Sequence, residues 1–235
     1  MAPFFIGLFN FANILWFSKR IYMTIKIYGT EASRAMRPIW TAEEMGLDYE
    51  LEMMPFPPRV FKPEYLEVNM LGTIPYMTDG DVKMTESVAM SQYLVEKYGP
   101  TDLRVMPDEP DYPTYLNSLY HSDATLTFPQ TVVLRYKLQE PGVADAAVDG
   151  YSRWFVSRCK LLETTLEDRE YLCSNRFTIA DICVSYAFVV AKSLGIEQAF
   201  KPNITRYTNM LFERDAFKRS VEYKYEGEDP STSSD

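Results

Sequence analysis

Residues 24–98 read TIKIYGTEASRAMRPIWTAEEMGLDYELEMMPFPPRVFKPEYLEVNMLGTIPYMTDGDVKMTESVAMSQYLVEKY, and the order of patterns in them decides the fold. Thr24–Tyr28 alternates β-branched and polar residues, which predicts a short strand. Gly29–Ala32 turns the chain. A helix is expected from about Ser33 to Met45, with Met36, Ile39, Trp40 and Met45 on its apolar side, Gly46 as its stop and an irregular first turn around Pro38. Tyr49, Leu51 and Met53 then alternate with Glu50 and Glu52, a second strand. A strand–helix–strand unit of this length implies a parallel pair with a right-handed crossover. A short helix is expected over Pro63–Val68. Two strands, Ile74–Met77 and Val82–Met84, flank Asp79-Gly80-Asp81 as a hairpin, and a third helix runs from Ser87 to Tyr98 before Gly99-Pro100 stops it.

Beyond about Asp111 no strand pattern is found. Tyr112–Leu138, Gly150–Leu166 and Ile204–Tyr223 carry apolar residues at helical spacing. Phe177-Thr178-Ile179-Ala180-Asp181 opens another helix: Thr178 and Asp181 are spaced as a capping box, and Phe177 and Ile182 as a hydrophobic staple. Residues 182–191 are nearly all apolar, so this helix is expected at the centre of an all-helical core. The expected organisation is an N-terminal extension over 1–22, an α/β domain over 23–100, a proline-stiffened linker over 101–110, an all-helical domain over 111–225 and a disordered tail over 226–235.

The net charge is −9, which argues against a nucleic-acid binder and a generic anchor to anionic membranes. With one histidine, His121, histidine-cluster metal sites are excluded, and no metal is expected. Cys159, Cys173 and Cys183 are odd in number and form no CxxC pair, which fits a reducing, cytoplasmic setting. Residues 2–17 are uncharged, yet Pro3, Gly7, Asn10 and Asn13 interrupt a run too short to span a membrane. Two readings fit it: Met23 is the true start, preferred because it leads straight into a strand, or residues 1–22 act as a membrane tether.

The β-α-β-α-β-β-α order is the thioredoxin-like arrangement. Together with the proline-containing linker and an all-helical half bearing FTIAD, it resembles the cytosolic glutathione transferase family over residues 23 to about 225. The motifs that carry the resemblance are Tyr28-Gly29 leading to Ser33-Arg34-Ala35-Met36-Arg37, then Asn69-Met70-Leu71-Gly72-Thr73-Ile74-Pro75, and Thr85-Glu86-Ser87. The stretch from Ser33 to Trp40 looks most like bacterial-type, theta- or delta-like serine members. The resemblance implies glutathione as cosubstrate, a homodimer, a role in detoxification and a cis Ile74-Pro75 bond. Ile74 would then offer its backbone N–H and C=O to the cysteinyl part of glutathione, like a short added strand. Glu86 would pair with the γ-glutamyl ammonium, and Ser87 with the helix start would hold its carboxylate. Ser33 would be the catalytic hydroxyl that favours the thiolate, with Arg34 and Arg37 adding positive potential and Tyr28 and Thr30 as fallback donors. The ordinary alternatives are an edge-strand proline at Pro75 and helix caps at Ser33, Thr85 or Ser87.

Departures from the family pattern matter too. No cysteine lies near residues 28–37, so mixed-disulfide chemistry lacks a nucleophile. Gly72 stands where delta-like members often carry histidine, so the glycine carboxylate of glutathione needs another partner, Lys62 or Arg59. Asp215 stands where proline is usual. The electrophile pocket is expected between the domains, with Tyr115, Leu119, Tyr120 and Phe128 as candidate walls, although an aromatic stripe at helical spacing is more often core than pocket. His121 is expected to be a hydrogen-bonded structural residue and the cysteines inert. The leading expectation is thiolate attack on a hydrophobic electrophile, by conjugation, peroxide reduction, dehalogenation or ether cleavage. The alternative is a non-catalytic regulatory or protein-interaction relative.

Overall fold

A computed structural model describes residues 25–196 and 200–227. The expected extension over 1–22, with its tether and start-site readings, and nearly all of the expected tail lie outside the described residues. Strands β1 (Ile25–Gly29), β2 (Glu50–Met53), β3 (Tyr76–Asp79) and β4 (Val82–Met84) form one sheet in the order β2-β1-β3-β4. β1 pairs parallel with β2 and antiparallel with β3, and β3 pairs antiparallel with β4. The period of two sends Ile25 and Ile27 to one face, where they pack with Ala35, Ile39, Met77, Met90 and Leu94. Of those partners, Ile39 comes from helix α1 (Met36–Met45), Ala35 immediately precedes it, Met90 and Leu94 come from α3 (Ser87–Lys97), and Met77 lies in β3. Tyr28 points the other way and clusters with Met54, Tyr65 and Tyr76. The thioredoxin-like order expected from the sequence is therefore present.

Local differences have local causes. α1 begins at Met36, not Ser33, because residues 30–35 are spent on a turn, and Pro38 falls in the first helical turn, where no intrahelical donor is needed. Gly46 ends it in the left-handed region (φ 62°), with its N–H returned to Ala42 and Glu43 carbonyls. β3 starts two residues later than expected, since Pro75 has no N–H to give a ladder. The short helix expected over Pro63–Val68 is a 3-10 turn (Pro63–Glu67), and a further short helix not expected from the sequence, α2 (Pro58–Phe61), precedes it, each opened by a proline.

The second half is helical among the described residues. The expected continuous helix over Tyr112–Leu138 is α4 (Tyr112–His121), a π turn (Ser122–Thr127), α5 (Phe128–Leu134) and another π turn (Arg135–Gln139). Pro129 cannot donate one turn back, and the wide turn before it absorbs the ring. α6 (Asp145–Thr165) starts earlier than expected, tolerating Gly150 inside and placing Asp145 in its first turn. α7 (Ile179–Ser193) carries the expected capping box, with Thr178 accepting from Ala180 N–H and Asp181 accepting from Thr178 N–H at 2.8 Å. The last expected helix is two, α8 (Pro202–Phe212) and α9 (Asp215–Val221), broken at an extended Arg214 that Glu44 holds through bonds of 2.6 and 2.7 Å. Asp215 sits in the first turn of α9, where a carboxylate suits the helix dipole.

Candidate active site

The turn between β1 and α1 is over-determined. Gly29 admits no side chain, since a Cβ there would sit 2.5 Å from Ala35 Cβ. Ala32 is left-handed (φ 51°), a conformation that costs a non-glycine residue, and the Tyr186 hydroxyl of α7 donates to its carbonyl at 3.1 Å. Within this turn Ser33 Oγ accepts the N–H groups of Thr30 and Ala35, both at 3.3 Å. Ser33 is thus no N-cap; Ala35 holds that position and makes no side-chain cap bond. With both lone-pair directions of Oγ facing amides, the hydroxyl proton is the part of Ser33 left to give outward.

Ser33 faces a cleft of about 530 Å³ between the halves, which also takes in Arg34, Ile74, Phe56, Thr131 and Leu134. Ile74 precedes a cis peptide bond to Pro75, as expected. The β1–β3 register ends at Tyr28 opposite Tyr76, and among the described residues Ile74 takes part in no turn or loop backbone bond, which leaves its N–H and C=O for another partner. The expected pocket walls are elsewhere. Tyr115 and Leu119 are core, Tyr120 and Phe128 are exposed, and the helical wall is built instead from Gln130, Thr131, Leu134 and Leu138, further along the same run. Tyr28 is buried in its aromatic cluster, whereas Thr30 lines the cleft.

The two arginines divide their work. Arg34 is half-buried on the cleft wall, its Nε donating to Asp123 at 3.1 Å and its Nη2 to Thr131 at 2.8 Å. Arg37 is fully buried, and its N–H groups go to Cys183 carbonyl, Ser87 Oγ, Asp123, Ser122 carbonyl and Thr127 Oγ1. The expectation that Arg37 adds potential to the cleft is therefore corrected: its charge is spent on holding α1 to the second half. Burial alone would raise the Asp123 carboxyl, but Arg37 and Arg34 outweigh it and hold it below its ordinary value. Nothing in the sequence pointed to Asp123, which lies 86 residues from Arg37.

Glu86 precedes α3 in extended conformation, is exposed, and makes no side-chain cap bond, so neither Thr85 nor Ser87 caps the helix. The first N–H groups of α3 are thus free of a side-chain acceptor. Ser87 is buried beside them, accepting from Arg37 at 3.0 Å. Lys62 lies off the cleft lining, with its ammonium 2.7 Å from Glu52 and 4.0 Å from the sulfur of Met54, which does line it. Gly72 is left-handed (φ 56°) and packs against Arg59: a Cβ would stand 2.6 Å from Arg59 Cβ. Arg59 is thereby the backing of that turn.

Two further expectations resolve. His121 Nε2 is buried with no hydrogen-bond partner, not bonded as expected, and burial followed by the nearby Arg158 charge lowers its pKa. The three cysteines are free and buried, and burial pushes Cys159 and Cys173 up to about 12 and Cys183 to about 11, which leaves them inert. Among the described residues no group of acids, cysteines and histidine could hold a metal ion, and no helix is long and apolar enough to cross a membrane.

Residues 27–102 match the family model described as glutathione S-transferase, N-terminal domain, and residues 157–215 that of its C-terminal domain. A glutathione S-transferase of Hyoscyamus muticus is 26% identical over 211 residues, covering 86% of this chain and 100% of that one. Glutathione S-transferase D7 of Drosophila melanogaster is 27% identical over 180 residues, covering 75% and 77%. Among solved structures, glutathione transferase URE2P6 of Phanerochaete chrysosporium, in complex with oxidized glutathione, superposes with a TM-score of 0.75 at 27% identity, covering 85% of this chain and 96% of that chain.

Proposed function

Because the chain belongs to the glutathione S-transferase family, we propose that it is a glutathione transferase in which Ser33 holds the glutathione sulfur as a thiolate for attack on an apolar electrophile. A free thiol has a pKa of about 8.5, so only a few per cent is nucleophilic at neutral pH. The observation that carries the reading is the pair of amides on Ser33 Oγ: they use the oxygen as an acceptor and leave its one proton for a partner in the cleft. A hydroxyl donating to sulfur stabilises the anion more than the neutral thiol and lowers the thiol pKa.

Around that sulfur, Ile74 pairs its open N–H and C=O with the cysteinyl amide, and Pro75 sets the bend that presents them. The uncapped start of α3, with Ser87, receives the γ-glutamyl carboxylate, and Glu86 receives the ammonium on the same carbon. Arg34 on the wall and Lys62 beside Met54 supply positive charge for the glycine carboxylate. Conjugation is the basic reaction, and peroxide reduction, dehalogenation and ether cleavage need the same thiolate. The working form is a cytoplasmic homodimer; exposed Phe56, Leu66, Met70 and Leu71 supply apolar surface for a second copy. A bacterial-type, theta- or delta-like relationship and a detoxifying role belong to this proposal.

The test is a thiolate absorbance titration of bound glutathione. Wild type lowers the thiol pKa, and Ser33→Ala raises it back by about one unit, the worth of one charge-assisted hydrogen bond, with glutathione still bound. The same pKa in mutant and wild type would remove Ser33 from the role. Absence of glutathione binding in calorimetry would sink the reading and leave a non-catalytic relative.

A further inference from the structure

Beyond α9 the chain returns across the first half. The Tyr223 hydroxyl shares a 2.8 Å bond with that of Tyr49, and Tyr225 N–H donates to Glu31 Oε1 at 3.0 Å. This brings Tyr225 onto the cleft that holds Ser33, together with Phe56, Leu134 and Leu138. A second cavity of about 320 Å³ shares the Thr30–Ala32 turn and takes its other lining partly from Val221 and Tyr223. The segment from Val221 to Tyr225 thus lines both cavities beside one short turn.

We propose that Tyr225 is a specificity-determining residue of the electrophile site, its ring favouring planar aryl electrophiles, and that Glu31 is the positioning residue that latches it. The inference deepens the transferase reading above and rests on it. A segment outside helix and strand keeps its place through specific bonds, and a backbone N–H to a carboxylate is one of them. The latch falls two residues before Ser33, so it fixes the Tyr225 ring relative to the sulfur's partner. Three rings, Phe56, Tyr186 and Tyr225, border the cleft, with Leu134, Leu138 and Val190 as further apolar surface on its helical wall. Such a surface gains from an aromatic guest beyond plain area burial.

The probe is a pair of electrophiles with one reacting group, benzyl and allyl isothiocyanate. In each, the glutathione thiolate forms an S–C bond to the central carbon. The C=N π pair moves to nitrogen, which takes a proton, and no group leaves. Wild type is expected to prefer the benzyl compound in kcat/KM, and Tyr225→Ala to cut that preference by about tenfold. Tyr225→Phe should keep it. Glu31→Ala should lose part of the preference through KM, while Glu31→Gln, which retains an acceptor, restores it. An unchanged benzyl-to-allyl ratio in Tyr225→Ala overturns the proposal, as does a loss in Tyr225→Phe as large as in Tyr225→Ala. Turnover of neither compound overturns the transferase reading itself, and this inference with it.

Discussion

Arg37 shows how much one side chain can organise. A guanidinium has five N–H groups, and Arg37 commits them to five acceptors at 2.9–3.1 Å while lying 4.8 Å from the Tyr186 ring. Lysine offers three donors on one atom and no plane, so it cannot serve the same set. Arg37→Lys is expected to lower unfolding free energy by about 3 kcal/mol, because Asp123 and buried carbonyls lose partners without being removed. Urea unfolding measures it, and a loss below about 1 kcal/mol would show that the network tolerates a point charge. The sequence did not disclose this role. Arg34 and Arg37 both read as cations next to Ser33, and what separates them is acceptors 50 to 146 residues away. The local settings of Ser33, Ile74 and Glu86 were legible because they rest on nearby backbone, namely a turn, a proline and a helix start.

At the scale of elements, the hairpin is tied to the end of α3 by Asp79. Its carboxylate accepts from Lys97 and Tyr98 at 2.6 Å and from Tyr93 at 2.9 Å, with only 6% of the side chain exposed. Burial opposes ionisation, but Lys97 and the two tyrosines prevail and hold the pKa below 3.8. A carboxylate depressed in the folded state stabilises above its unfolded pKa, and this contribution fades as pH falls through the folded value. Asp79→Asn should therefore cost about 1–3 kcal/mol at neutral pH, with the gap to wild type closing below about pH 4. Urea midpoints at the two pH values check it; a gap as wide in acid as at neutrality would mean that shape, not charge, holds the hairpin. Element type was readable for the sheet and the long helices, since periods of two and 3.6 survive folding, but the four-residue α2 is too short to show a period. Boundaries slipped where backbone chemistry decides them: the π turn before Pro129, the delayed β3 after Pro75 and the break at Arg214, which depends on Glu44 across the molecule.

For the whole molecule, the division into two halves is a matter of chain order more than of cores. Trp40 belongs to α1, yet it is wholly buried in the cluster of the helical half, 4.9 Å from Phe217 and 5.8 Å from Phe177. Met36 and Val95 enter the same cluster from α1 and α3. The strand and helix patterns indicated a shorter α/β half and a longer helical half; the linker prolines gave no hint that the larger core extends into the smaller half. Shared burial makes unfolding of either half expose apolar surface of the other, so the two should melt as one unit. Far-UV circular dichroism and tryptophan fluorescence are expected to report one coincident urea transition. Trp40→Ala should move both by the same amount, losing about 3–5 kcal/mol for a buried aromatic deleted to a cavity. Separate transitions, or a Trp40→Ala effect confined to one probe, would mean that the halves carry independent cores. The cleft that holds Ser33 lies between these halves, so its width is set by the same packing: a looser Trp40 site should weaken glutathione turnover before it abolishes the fold.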